Sequence, residues 1–176
     1  MSEAAGGNPG GAPPRRFALE GALIAGIVLV DQATKLVVRE TIPLHDSVTL
    51  VPGLLNLVHV RNTGAAFGFL NAVDFPYKAS VVALVAAAAL VGIAVYAARV
   101  SSHERLARVG LALILGGAFG NLIDRLALGS VVDFVDVVVG GWHFWAFNVA
   151  DSAITLGVVA MLADMIGLDR HVSTTS

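Results

Sequence analysis

Four apolar runs limit what this chain can fold into. They lie at Phe17 to about Val38, Ala79 to Ala98, Leu106 to about Leu126, and Phe147 to Gly167. Each approaches the roughly 20 residues that an α-helix needs to cross the hydrocarbon core of a bilayer. No water reaches that core, so each spanning segment must satisfy its own backbone groups, and such runs become helices. Only 14% of the 176 residues are charged, against roughly 25% in an ordinary soluble domain. Mean hydropathy is +0.79. The expected fold class is an all-α membrane protein with four transmembrane helices. The first run is too long for a signal-peptide core and is followed by further spans.

The segments between the runs set the organisation. Residues 1–16 are rich in Gly, Pro and Ala and read as a disordered tail. Residues 17–168 form the four-helix membrane domain, and 169–176 form a second short tail. Residues 40–77 hold β-branched runs around Pro43, Pro52 and Gly53, expected as short strands and turns that form a small β-rich cradle. RNTGAAFGFL, at 61–70, is expected as a short amphipathic helix on the membrane surface. Phe75 and Tyr77 suit the aromatic belt, and Trp142 and Trp145 suit interfacial anchors. Gly116 and Gly120 stand at GxxxG spacing, read as helix packing within the protein. Arg15, Arg16, Arg99, Arg105, Arg108 and Arg170 lie in the tails and in one short loop. The positive-inside rule puts both termini and the 99–108 loop in the cytoplasm, with 40–77 and 127–146 outside.

That orientation gathers the polar residues of the spans into one leaflet. Asp31 and Lys35 fall at the outer end of the first span, Asn121, Asp124 and Arg125 at that of the third, and Asn148 and Asp151 at that of the fourth. Polar groups at such depth are costly and mark function by default. Asp31 and Lys35, at i and i+4 with the acid first, share a helix face. On spacing alone they read as a helix-end pair that snorkels to the interface. Asn121, Asp124 and Arg125 share a second face, and Asn148, Asp151 and Thr155 a third. The expected arrangement has these last two faces meeting under VVDFVD, residues 131–136, read as a loop folded over them.

Several chemistries are excluded. There is no Cys, so no thiol catalysis, disulfide or cysteine metal site. His45, His59, His103, His143 and His171 show no HExxH spacing and read as interfacial or solvated. No metal and no cofactor are expected. With a net charge of -2 and no basic tract, nothing points to nucleic acid. Carboxylates remain. Two placed close together share one proton. The ionised one activates water, and the protonated one polarises a carbonyl. This is aspartic-protease chemistry. Several aspartates compete for the two roles. A small membrane transporter or proton pathway would use the same carboxylates, and a purely structural four-helix protein is the third reading.

Five motifs bear on that choice: DQATK at 31–35, RNTGAAFG at 61–68, GGAFGNLIDR at 116–125, VVDFVD at 131–136 and FNVADS at 147–152. In this order and spacing the chain resembles lipoprotein signal peptidase (signal peptidase II), a bacterial intramembrane aspartic peptidase family. The resemblance runs from about residue 17 to 167. It departs at Phe119, where Leu is more usual. It implies an inner-membrane endopeptidase that removes signal peptides from diacylglyceryl-modified prolipoproteins by cutting just before the lipidated Cys. Membrane lipid and cyclic peptide antibiotics of the globomycin type are the other partners it implies.

The family's catalytic aspartates fall on Asp133 and Asp151. Asn62, Gly117, Asn121, Arg125 and Asn148 match residues of the substrate or inhibitor groove. Asp31 and Lys35 match a supporting pair. The rival Asp124 stands beside Arg125, which is expected to keep it ionised and structural. The rival Asp136 is expected in a loop or turn. For Asn121 and Asn148, helix capping and interhelical hydrogen bonding are the competing role.

Overall fold

The computed structural model describes residues 15–64, 75–101 and 103–167. The elements run α1 (Arg15–Thr41), β1 (Ser47–Val51), β2 (Leu55–Asn62), α2 (Lys78–Arg99), α3 (Arg105–Leu128), β3 (Val131–Val139), β4 (Trp142–His143) and α4 (Val149–Met165). Helix α1 begins at Arg15, so Arg15 and Arg16 belong to its first turn rather than to a tail. Of the expected surface helix at 61–70, residues 65–70 lie outside the described residues, while Arg61 and Asn62 end strand β2.

Helix α3 is the hub and packs against α1, α2 and α4. Small residues let the helices approach. A Cβ on Gly110 would stand 2.7 Å from Gly157 O, and one on Gly117 would overlap Ala150 O, so this face of α3 is closed by α4. The Gly116 and Gly120 pair faces α1, where added Cβ atoms would meet Ile27 and Asp31. The GxxxG spacing therefore serves packing inside the chain. Helix α2 has one buried residue, Ala83, and stands apart at the rim. Outward residues such as Leu29, Leu84, Val91 and Leu156 are exposed, as lipid-facing positions should be.

Among the described residues three helices, α1, α2 and α3, are long and apolar enough to cross a membrane, against the expected four. Helix α4 has 17 residues and rises about 25 Å, short of a hydrocarbon core of about 30 Å. Its first turn starts late because Asn148 caps it and Phe147 is drawn into β pairing.

The chain is also not all-α. A four-stranded antiparallel sheet, ordered β1-β2-β3-β4, sits beside the helix ends. VVDFVD is part of strand β3 and not a loop, so Asp136 lies in a strand too. The reason is the run of β-branched residues from Val131 to Val139, which favours a pleated surface packed on both faces. Val132 and Phe134 pack on Val38 and Ile42 at the end of α1, and this small core docks the sheet onto the bundle. Gly129 (φ 71°) ends α3 in the left-handed conformation and turns the chain directly into β3.

Candidate active site

Asp133 enters the site from strand β3, opposite Val60 of β2. It is 3% exposed. Its Oδ1 accepts from Asn148 Nδ2 at 2.7 Å and its Oδ2 from Asn62 Nδ2 at 3.2 Å. Burial pushes its pKa up to about 7, and the nearby Asp151 charge adds to the rise, while the two amide hydrogen bonds and the Lys35 charge oppose it.

Asp151 enters from the first turn of α4. Asn148 is the N-cap: its Oδ1 accepts from Asp151 N at 2.9 Å, and its own N–H donates to Asp151 Oδ2 at 3.3 Å. This is a reciprocal capping box with Asp151 at the third helical position. Asp151 Oδ1 accepts from Asn121 Nδ2 at 2.8 Å. Asn148 therefore does two things at once. It starts the helix that carries one aspartate and donates to the other. The capping expected for Asn148 is present, and the same side chain reaches Asp133. Asn121 likewise bonds across helices and into the site.

Behind these residues lies a buried charge cluster. Lys35 is 2% exposed, Asp31 0% and Asp124 3%. Lys35 Nζ lies 2.8 Å from Asp31 Oδ2 and 3.0 Å from Asp124 Oδ2, and donates to Asn121 Oδ1 at 2.9 Å. The pair at 31 and 35 thus does not snorkel. It is closed in because Asp31 Oδ1 also accepts from Ala150 N at 3.0 Å, which fixes α1 against the start of α4. Asp124 Oδ2 further accepts from Val132 N at 3.1 Å, and Asp124 Oδ1 from Gln32 Nε2 at 3.0 Å. The partner of Asp124 is therefore Lys35, in place of the neighbouring Arg125. Arg125 donates to Asn121 O at 3.2 Å and to Gly64 O at 3.1 Å.

Both aspartates line a cleft of about 860 Å³. Its polar end is Asn62, Asn121, Arg125, Asp133 and Asp151, and its apolar wall comes from α2 and α4, with Ala86, Ala89 and Ile93 among the α2 residues. Gly117 and Asn148 do not line it. Gly117 lies at the α3–α4 contact, and Asn148 is wholly buried behind the aspartates. Asp136 is outside the cleft, with Asn56 and His143 as partners.

Sequence reasoning missed Gln32, which donates to Asp31, Asp124 and Gly120 O, although it lies inside the DQATK motif. It also missed His59, which is buried rather than solvated and lies 2.8 Å from Ile42 O through Nδ1. Its place among alternating residues of a strand was the available signal. Among the described residues, no group of three or more His, Asp or Glu is placed to hold a metal ion.

The chain can now be set beside known proteins. A family model described as signal peptidase (SPase) II matches residues 23–167. The lipoprotein signal peptidase of Geobacter sulfurreducens is 45% identical over 150 residues, covering 85% of this chain and 92% of that one. The lipoprotein signal peptidase of Maridesulfovibrio salexigens is 43% identical over 147 residues, covering 84% and 94%. A solved bacterial membrane enzyme superposes with a TM-score of 0.75 at 30% identity, covering 91% of this chain and 93% of the other. Transport and purely structural readings, left open by residues alone, fall away. This membrane bundle, with a buried and a half-buried carboxylate in one cleft and matched along most of its length by these relatives, belongs to the signal peptidase II family of aspartic peptidases.

Proposed function

We propose that Asp133 and Asp151 are the catalytic pair of this membrane peptidase. The observation that carries the proposal is their joint placement. Two carboxylates from different elements share one apolar cleft and are joined through Asn148. At neutral pH the pair holds one proton. The ionised carboxylate takes a proton from water as the water oxygen attacks the scissile carbonyl. The protonated one donates to the carbonyl oxygen, giving a tetrahedral diol. Collapse of the diol breaks the C–N bond, and the amine leaves with a proton from the pair. Asn62 and Arg125, at the polar end of the cleft, hold the substrate backbone. Gly117, Asp31 and Lys35 support the site through packing and charge.

The substrate we propose is a prolipoprotein whose Cys carries diacylglycerol, cut just before that Cys. Such a molecule has a polar scissile segment and an apolar anchor side by side. The cleft has the same division, with amides and carboxylates at one end and small apolar residues of α2 along the wall. The lipid slides in laterally from the bilayer, and cyclic peptides of the globomycin type compete for the cleft. Helix α4, whose 17 residues stand at the lower limit for a span, crosses as a fourth helix where the bilayer thins around it. The termini and the 99–108 loop are cytoplasmic, following Arg99, Arg105 and Arg108, so the sheet and the aspartates lie near the outer leaflet.

The test is cleavage of a diacylglyceryl-modified prolipoprotein by the purified protein in detergent. Wild type cleaves; Asp133→Asn and Asp151→Asn are folded and inactive. A folded Asp133→Asn or Asp151→Asn protein with near-normal activity removes that aspartate from the pair. If wild type leaves modified and unmodified substrate equally untouched while a related peptidase cuts, the substrate assignment fails.

A further inference from the structure

Strand β3 is followed by Gly140 and Gly141, both at positive φ (59° and 82°). Such a pair makes the two-residue turn of a tight hairpin. The return leg stays on β3 well beyond β4. Phe144 N donates to Val137 O at 2.8 Å, Phe147 N to Val135 O at 3.1 Å, and Val135 N to Phe147 O at 2.8 Å. The next residue is Asn148, the cap of α4. Asp133 and Asp151 are therefore held by the two legs of one hairpin. A slip of the return leg would carry Asn148 and the first turn of α4 away from Asp133.

At the tip of the hairpin little apolar packing prevents that slip. Strand β4 has two residues, Trp142 is 82% exposed and Val139 is 68% exposed. A short hairpin is marginal without further support. The support is polar. The Asp136 side chain is 8% exposed, and its Oδ2 lies 2.9 Å from His143 Nδ1 and accepts from Asn56 Nδ2 at 2.9 Å. Asn56 Oδ1 accepts from Thr49 Oγ1 at 3.0 Å. Thr49, Asn56, Asp136 and His143 thus link all four strands side by side. A carboxylate buried this deeply keeps its place only while it is hydrogen-bonded, so the link is directional in a way that apolar contact is not.

We propose that Asp136 and His143 are positioning residues for the peptidase reaction. Their contact sets the register of the return leg and so places Asp151 and its cap against Asp133. Neither residue lines the cleft. The inference rests on the reading of Asp133 and Asp151 as the catalytic pair.

The test uses the purified full chain and modified prolipoprotein. His143→Ala removes the clamp. Small misplacement of catalytic groups costs about tenfold to 100-fold in rate, so kcat falls by that order while KM moves far less. His143→Asn, which keeps an amide donor near the Nδ1 position, retains most of the activity. The second protein is Val138→Cys/His143→Cys. These two residues face each other across the strands, and the chain has no other Cys. Its oxidised form, with the leg held covalently, works near the wild-type rate; reduction returns it to the rate of His143→Ala. Two results overturn the proposal: wild-type kcat in His143→Ala, or oxidised and reduced forms that are equally slow. If His143→Ala does not fold, the oxidised and reduced pair decides alone. Asp133→Asn runs alongside. Activity there overturns the catalytic pair, whereas loss there with full activity in His143→Ala overturns only the clamp.

Discussion

Asp133→Asn should make the protein more stable at neutral and alkaline pH while removing its activity. In the folded protein the Asp133 carboxyl is pushed up to about 7 from an ordinary 3.8. An acid whose value is raised by folding binds a proton that the unfolded chain releases. The contribution of Asp133 to wild-type stability is therefore greatest below about pH 4, falls as pH rises towards 7, and levels off above it. At about 1.4 kcal/mol per pH unit the span corresponds to about 4 kcal/mol. Asparagine does not titrate, so it escapes that loss. Its geometry carries a penalty, however. Asn62 and Asn148 both donate to Asp133, and the new amide offers an oxygen to one and an N–H to the other. One lost hydrogen bond is worth about 1–2 kcal/mol. Below pH 4 the variant is then less stable than wild type by about 1–2 kcal/mol. Above pH 7 it is more stable by about 2–3 kcal/mol, and the curves cross between. The assay is unfolding in detergent from pH 4 to 8.5, followed by the fluorescence of Trp142 and Trp145, the only tryptophans. Curves that run parallel across this range, or a variant weaker at pH 8, would refute the reasoning.

Three more outcomes are expected. The rate of cleavage should change across a limb near pH 7, where Asp133 titrates; a profile flat from pH 5 to 9 would count against a shared proton. Lys35→Met should destabilise by about 3–5 kcal/mol, because it strands the buried Asp31 and Asp124; a variant that unfolds at the wild-type midpoint would show that the cluster contributes nothing. Gly117→Val should prevent α4 from seating, since even a Cβ overlaps Ala150 O; protection of the α3–α4 contact from proteolysis should fall, and unchanged protection would contradict the packing.

Much of this site was legible in the sequence, and the limits have physical causes. Asn121, Asp124 and Arg125 could be placed on one helix face because helical spacing is regular. Their partners could not, because contact between elements depends on rotation about each helix axis. Arg125 is next to Asp124 in sequence, yet Asp124 pairs with Lys35 across the α1–α3 contact. VVDFVD, at 131–136, reads as a loop from the sequence because two aspartates interrupt its apolar residues. In the sheet those aspartates are tolerated: Asp133 and Asp136 find Asn partners on β2. The length of α4 was overestimated because Phe147 and Asn148 read as apolar and helical neighbours. The backbone of Phe147 instead pairs with β3.

The arrangement of charges explains why amides surround the proposed catalytic pair. Among the described residues, the cluster holds two cations, Lys35 and Arg125, near four carboxylates. Lys35 pairs with Asp31 and Asp124. Arg125 spends its described hydrogen bonds on the backbone oxygens of Asn121 and Gly64. Asp133 and Asp151 form no ion pair among the described residues and receive only amide donors, from Asn62, Asn121 and Asn148. A cation in direct contact would favour ionisation of both carboxylates and so remove the proton they share. An amide fixes the position of a carboxylate and favours its charged form less than a cation in contact would, so burial still holds Asp133 up to about 7. Asn121 also stands between Lys35 and Asp151, accepting from one and donating to the other. The cation thus orients the amide that orients the carboxylate, an indirect contact that suits the proton exchange proposed for the pair.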